Sequence, residues 1–465
     1  MNERPYRWYR ELNRYHWFVL TVAALGWLFD TMDQQLFALA RRPAMIELVG
    51  QKPAEGQTLT DEQKAADLAV VNEYAGYATS IFLIGWASGG LFFGVLGDRI
   101  GRAKTMVWTI LIYSLFTGLS ALSVGFWDFA FYRFLTGLGV GGEFAVGVSL
   151  VAEVMPNRAR PFALGLLQAL SAVGNISAAF ISMGMTQLES SGAVNSAWRI
   201  MFVVGTLPAL LALVIRRRLK EPERWQAVAA EGKGSRLGSY GELFADPRWR
   251  RNAIVGMLLA FSGVVGLWGI GFFSYDLIST VLRKRFEAEG LSPADVTAKV
   301  GYWTGMVSIV QNLGGFCGIY AFSTITQYTG RRPAFAVSFV AAMISTAYVF
   351  WYLQDVTQFV GPFPVGVLPI FIMGFCQLSL FGGYAIYFPE LFPTRLRSTG
   401  TSFCYNVGRF VAALGPAALG VLTAYVFADK AEPMRYAGVT MCGIFLLGLI
   451  VLPFAPETKD MPLPE

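Results

Sequence analysis

The chain has one histidine and four cysteines in 465 residues, and only 15% of its residues are charged. Each scarcity excludes something. His16 alone cannot build a histidine metal cluster. Cys317, Cys376, Cys404 and Cys442 each sit inside an apolar run, so none has the spacing of a zinc ligand set or a disulfide framework. No nucleophile–base constellation, metal spacing or phosphate loop is visible, which argues against an enzyme. No metal or resident cofactor is expected. A soluble protein of this length carries roughly a quarter charged residues. Here 54% of residues are hydrophobic, with 37 Phe, 12 Trp and 50 Gly, and the apolar residues come in long runs. About 20 such residues at 1.5 Å each cross about 30 Å of hydrocarbon. The sequence therefore reads as a polytopic membrane protein, not as three soluble domains.

Twelve spans are predicted, near 16–40, 74–97, 105–124, 127–155, 161–186, 198–216, 251–281, 300–324, 333–353, 363–388, 398–427 and 436–455. Two polar gaps are long. Residues 41–73 hold six acids, and residues 217–250 are strongly basic. With both termini inside, about 24 Lys and Arg fall on the cytoplasmic side and about 11 outside. That bias sets the expected orientation in the cell (inner or plasma) membrane, with both termini cytoplasmic. The net charge of +6 bears on this orientation, and nucleic acid is not an expected partner. The basic, aromatic start of the chain, MNERPYRWYRELNRYHW, reads as an uncleaved cytoplasmic arm with interfacial anchors.

The chain repeats itself. Glu153-x-x-Pro156-x-Arg158-x-Arg160 returns 237 residues later as Glu390-x-x-Pro393-x-Arg395-x-Arg397. Gly97-Asp98-Arg99-Ile-Gly101-Arg102 is echoed at an offset of 229 by a degenerate copy around Gly330-Arg331. Glu221-Pro-Glu-Arg follows span six, and Pro456-Glu457-Thr-Lys follows span twelve. Three paired signatures in the same order imply duplicated halves. The expected organisation is an N-terminal six-helix bundle at 1–216, a basic cytoplasmic linker at 217–250 and a C-terminal six-helix bundle at 251–465. Such halves are the plan of many secondary transporters, with the substrate near the midplane between them.

These motifs resemble the major facilitator superfamily over the whole chain. The fold this implies is an all-α membrane protein, with twelve transmembrane helices in two pseudo-symmetric six-helix bundles. Asp30-Thr-Met-Asp33 and Arg133-Phe-Leu-Thr-Gly-Leu-Gly-Val-Gly-Gly-Glu143 are similar to motifs of proton symporters for aromatic acids, sialic acid and related carboxylates. The Gln-Gln pair of sugar porters is missing from span seven. The Gly-Pro signature of drug antiporters is missing from span five.

Among the charged residues inside predicted spans, the candidates for function are Asp30, Asp33, Arg133, Glu143 and Arg409. Each costs roughly 2.5–3.5 kcal/mol at mid-bilayer unless it pairs, lines water or works. Asp30 and Asp33 are i and i+3, so they share a helix face. Asp33 and Arg133 lie at nearly the same depth, roughly 10 Å from the outer ends of their spans. The expectation is that Asp30, Asp33 and Glu143 serve proton coupling, with Arg133 as ion-pair partner. The competing reading of Asp33 and Arg133 is a permanent structural pair. The glycines at 137, 139, 141 and 142 read as helix packing.

Arg409 lies near the middle of span eleven, and its planar fork suits a carboxylate. The resemblance to organic-anion members makes it the expected substrate anchor; the competing reading is a pair with Glu143 or Asp30. Gln168, Asn175, Gln311, Asn312, Gln377, Tyr384, Tyr405 and Asn406 are the other expected substrate-binding residues, or else interhelical glue. Trp268, Phe272 and Tyr275 read as packing. Asp98, Arg99, Arg102, Glu153, Arg158, Glu390 and Arg395 are expected to form a cytoplasmic gate. Together these residues imply a proton-coupled, alternating-access importer of a small organic anion, expected as a monomer in the lipid bilayer. A sugar or other neutral-solute symporter is the alternative, and a non-transporting sensor remains open. All of this supposes that Arg409 and the acids share one wet central cavity.

Overall fold

The computed structural model describes residues 7–50, 60–230, 237–267, 273–352, 359–360, 363–364, 367–412, 422–427, 429–430 and 433–465. Trp268 and Phe272 lie outside the described residues, and so does the side chain of Tyr275.

The protein is all-helical apart from a two-residue pairing of Phe359–Val360 with Phe363–Pro364. Its helices are α1 (Arg14–Leu48), α2 (Asp61–Ile100), α3 (Arg102–Ser120), α4 (Phe126–Val154), α5 (Arg160–Ser190), α6 (Ala197–Val204), α7 (Ala209–Arg218), α8 (Glu223–Ala230), α9 (Tyr240–Ala245), α10 (Pro247–Val264), α11 (Phe273–Ala288), α12 (Pro293–Thr329), α13 (Arg331–Tyr352), α14 (Val367–Glu390), α15 (Arg397–Ala412), α16 (Pro433–Met441) and α17 (Ile444–Val451). They build twelve membrane spans in two six-helix bundles. Span six is α6 with α7, span seven α10 with α11, and span twelve α16 with α17. Among the described residues, eight helices are long and apolar enough on their own to cross a membrane. Span one is not among them and carries Asp30 and Asp33, both fully buried. The cost of those charges is met inside the bundle, not by lipid.

The polar gap at 41–73 is mostly helix. α1 continues through Pro43 to Leu48, and α2 begins at Asp61. Hydropathy marks only the embedded part of a helix. The backbone goes on wherever its ends are capped. Thr60 and Gln63 form a capping box for α2, and Asn13 and the lone His16 form one for α1. The far end of α1 is held by Glu47, which accepts hydrogen bonds from Ser196, Trp198 and Arg199. Partial burial pushes the Glu47 carboxyl up. The three donors outweigh it and hold the group below its ordinary value.

The repeat is visible in three dimensions. Gly101 (φ 109°) turns the chain between α2 and α3, and Gly330 (φ 92°) does so between α12 and α13. This backbone region suits glycine. Glu221 caps the start of α3 by accepting from the backbone N–H groups of Ala103 and Lys104. Glu457 caps α13 in the same way through Arg331 and Arg332. Burial raises the Glu457 carboxyl, but its backbone donors hold it below its ordinary value.

Backbones touch where α2 crosses α4 and where α12 crosses α14. A Cβ on Gly89 would collide with the Leu138 carbonyl, and one on Gly318 with that of Phe375. Gly137 and Gly141 meet α2, Gly139 meets α3, and Gly142 sits between the two. These glycines are therefore packing residues, the geometry that small residues permit between membrane helices. Gly89→Val is expected to cost at least about 1–3 kcal/mol through overpacking. Its check is a thermal unfolding midpoint in detergent several degrees below that of the parent. Leu122→Ala, at a 70% exposed position, is the control expected to change little.

Candidate functional site

Between the two bundles lies a cavity of about 80 Å³. α1 contributes Trp27, Thr31, Gln34 and Gln35, and α2 contributes Trp86. α5 contributes Gln168, Ser171 and Asn175, and α12 contributes Gln311 and Asn312. Leu267, Leu378, Phe381, Tyr405 and Arg409 complete the wall. Six apolar or aromatic side chains, six amides, two hydroxyls and one cation line it, a more polar wall than that of most small-molecule sites.

Arg409 is 1% exposed. Its guanidinium carbon lies 4.0 Å from the Trp86 ring centroid and 4.2 Å from that of Tyr405. Nη1 donates to the Tyr405 carbonyl at 2.6 Å and to Asn406 Oδ1 at 3.3 Å, while Nε has no hydrogen-bond partner. Among the described residues it forms no ion pair with a carboxylate. The competing expectation, a pair with Glu143 or Asp30, is thus not what this arrangement contains. A buried cation held by ring faces and backbone, with donors to spare, is a ready seat for an anion.

Six expected binding residues reach the cavity: Gln168, Asn175, Gln311, Asn312, Tyr405 and Arg409. Asn175 Nδ2 donates to Asn312 Oδ1 at 2.8 Å, tying α5 to α12. Three do not line it. Gln377 donates to Thr346 Oγ1 at 2.7 Å. Tyr384 donates to the Leu259 carbonyl at 2.7 Å and stacks on Phe388. Both bind inside their own bundle, because the polar side of α14 turns toward its neighbours there. Asn406 lies on the α2–α15 contact, with Nδ2 on the Ser402 carbonyl at 3.1 Å and its side chain against Gly90. In the other direction, Trp27, Gln34, Gln35 and Trp86 were not foreseen. Gln34-Gln35 directly follows Asp33, and that adjacency was the available signal.

Asp30, Asp33 and Glu143 are not among the residues that line this cavity. Asp33 and Glu143 lie within the first bundle, and Asp30 sits between them and the cavity side of α1, about 40° around the helix from Gln34. Asp33 Oδ1 accepts from Thr117 at 2.7 Å, and Oδ2 lies 3.8 Å from Arg133. Arg133 also donates to Ser120 and Thr136 and faces the Phe202 ring at 4.5 Å. Glu143 accepts from Thr109 at 2.6 Å, and its other oxygen abuts Gly26 of α1. Neither Asp30 oxygen has a hydrogen-bond partner. The equal-depth argument thus correctly brought Asp33 and Arg133 together. It did not specify which way the helix faces: α1 turns Asp33 into the first bundle and Gln34 and Gln35 toward the cavity.

The face that carries residues 7–13 and 455–465 is closed by a second polar cluster. Asp98 accepts from the backbone N–H of Ser398 (3.2 Å) and Thr399 (2.8 Å) and from the Thr399 hydroxyl (2.7 Å), at the start of α15. A helix N-terminus favours this negative charge. Arg102 pairs with Asp98 at 2.9 Å and with Glu153 at 2.8 Å, and donates to the Thr394 carbonyl at 2.7 Å. Arg397 reaches the same Glu153 oxygen at 2.8 Å from the other bundle, and donates to the Pro464 carbonyl at 3.2 Å.

The remaining expected gate residues have other settings. Glu390 pairs with Arg331 at 2.9 Å inside its own bundle, repeating the Arg102–Glu153 contact. Arg99 donates to the Leu237 carbonyl, and Arg395 pairs with Glu242, so both hold the segment between the bundles. Arg158 is exposed, and Arg160 is buried in its place.

Residues 58–416 match the Major Facilitator Superfamily. The chain is 28% identical over 422 residues to the sialic acid transporter NanX of Escherichia coli, spanning 90% of this chain and 89% of that protein. It is 29% identical over 376 residues to the cis,cis-muconate transport protein of Acinetobacter baylyi, spanning 80% and 83%. Among solved structures, the proton:xylose symporter XylE of E. coli superposes with a TM-score of 0.69 at 17% identity, over 97% of this chain and 98% of that one. At that identity the likeness concerns the fold alone. A family match over most of the length, full-length transporter relatives and the two-bundle fold agree: the chain belongs to the Major Facilitator Superfamily and is a multi-pass membrane transporter, not an enzyme.

Proposed function

We propose that the protein is a proton-coupled importer of a small organic carboxylate that works by alternating access. The observation that carries this is Arg409, a buried cation in the central cavity with aromatic faces on two sides and, among the described residues, no carboxylate within salt-bridge distance. The relatives named for sialic acid and cis,cis-muconate support the same substrate chemistry. In this reading Arg409 takes the carboxylate, and Gln168, Asn175, Gln311, Asn312 and Tyr405 shape the pocket. The halves are 1–216 and 251–465, the linker face is cytoplasmic, and the Asp98 and Glu153 clusters hold that face shut.

Asp30, Asp33 and Glu143 carry the coupling proton, with Arg133 as the partner that Asp33 gains and loses. The acids pack on α1 and do not line the cavity, so coupling passes through movement of α1. Import of a monoanion with one proton is electroneutral, so only the pH difference drives it, at about 1.4 kcal/mol per unit. A net charge crossing would add about 2.3 kcal/mol per 100 mV. Asp30→Asn and Asp33→Asn are expected to abolish pH-driven accumulation while leaving counterflow exchange. Undiminished pH-driven uptake in both variants removes the proton assignment.

The test of substrate class is uptake into proteoliposomes under an imposed pH gradient, with lactate, benzoate, sialic acid and hexoses. Accumulation of an acid and not of a hexose is the expected result. The six amides in the cavity (Gln34, Gln35, Gln168, Asn175, Gln311 and Asn312) favour a second reading, a neutral polar solute. Hexose uptake that survives Arg409→Ala would establish that reading instead.

A further inference from the structure

α1 presents different chemistry on its two sides. Gly26 and Asp33 face the interior of the first bundle, whereas Trp27, Thr31, Gln34 and Gln35 face the cavity, with Asp30 between the two sets. On the cavity side two N–H donors are left over. Trp27 Nε1 and Gln34 Nε2 are buried without a hydrogen-bond partner, in residues 3% and 8% exposed. Positions 27 and 34 are two helical turns apart, so they lie on one stripe. Buried donors without partners are rare in native proteins, because leaving them unmade is costly. Two of them on one wall of a ligand cavity outline a group that the empty cavity lacks.

Arg409 belongs to the other bundle, on α15. We propose that Trp27 and Gln34 form a second polar anchor, which takes a hydrogen-bond acceptor at the far end of the substrate while Arg409 holds its carboxylate. The ligand then bridges the two bundles. Among the described lining residues Arg409 is the one cation, so the far group is uncharged: a hydroxyl, ring nitrogen or carbonyl oxygen. The preferred substrate is therefore a singly charged carboxylate with a neutral acceptor opposite it, and not a dicarboxylate. This rests on the carboxylate reading above.

The test is calorimetric binding to the purified full chain with two near-isosteric pairs, isonicotinate against benzoate and 4-hydroxybenzoate against 4-methylbenzoate. The parent is expected to prefer the acceptor-bearing member of a pair by about fivefold or more. Trp27→Phe keeps an aromatic ring against Phe144, its neighbour at 5.0 Å, and Gln34→Met keeps the volume. Each is expected to lower the preference, and the double variant to bring it to about one. A merely structural role for these residues would shift both members of a pair together and leave the ratio intact. Equal binding within both pairs in the parent, or a preference that survives the double variant, overturns the second anchor alone. If none of the four acids binds, the carboxylate reading fails and takes this proposal with it.

Discussion

Arg409→Gln is expected to raise the dissociation constant for a carboxylate ligand by about 100-fold or more, which removes saturable uptake at micromolar concentrations. The size follows from what is lost. A charge-assisted, two-pronged contact is about twice as strong as a neutral hydrogen bond, and the site excludes the water that would compete with it. Arg409 lines the cavity, is almost wholly buried and has Nε without a partner. Arg409→Lys retains the charge but not the planar fork, nor the same stacking on Trp86 and Tyr405. An affinity loss of about tenfold is expected there. Calorimetry with benzoate reads both variants, and a thermal midpoint close to the parent's shows that the bundle is intact. Parent-like affinity in Arg409→Gln would remove the anchor and the carboxylate reading with it.

Glu153→Gln is expected to open the closed face. One Glu153 oxygen holds Arg102 from its own bundle and Arg397 from the other, both at 2.8 Å and all fully buried. Arg102 keeps Asp98 as a counter-charge. Arg397 keeps only the Pro389 and Pro464 carbonyls and the Thr394 hydroxyl. Breaking a buried pair from one side costs about 3–5 kcal/mol, because the stranded charge stays buried. The cheapest relief is to separate the bundles and let water reach Arg397. A bias of about 5.5 kcal/mol moves a two-state equilibrium from 99:1 to 1:99, so this variant shifts most molecules toward the open form. Spin labels at Lys104→Cys and Tyr328→Cys, in a background without native cysteines, should report a longer distance in Glu153→Gln. Glu390→Gln, whose pair with Arg331 lies within one bundle, should lower stability without lengthening it. Equal distances in the parent and Glu153→Gln would show that the Arg397 contact does not hold the halves together.

How the site reads from sequence depends on what each inference needed. Depth along a helix needs only the rise per residue, so Asp33 and Arg133 were legible as neighbours. Facing needs the rotation of each helix within its bundle. Gln377 and Tyr384 are polar and central in their span, but α14 turns them toward Thr346 and Leu259. Trp27 and Gln34 look like packing residues beside the more conspicuous Asp30 and Asp33, yet they take the cavity side of α1. Asp98 was legible as a gate residue, a place it takes by meeting a helix start in the other half. That the start is Ser398 and Thr399, some 300 residues away, follows only from how the bundles dock.

By itself the sequence determined the solvent, the number of spans, the duplication and the few charges that membrane burial makes expensive. Those properties follow from composition and from periodic motifs along one chain. Tertiary structure decided which of the charges meet, which residues of α1 line the cavity, and which Arg closes the face. These outcomes depend on helix rotation and on contacts between residues far apart in sequence, and neither is encoded in any local run of residues.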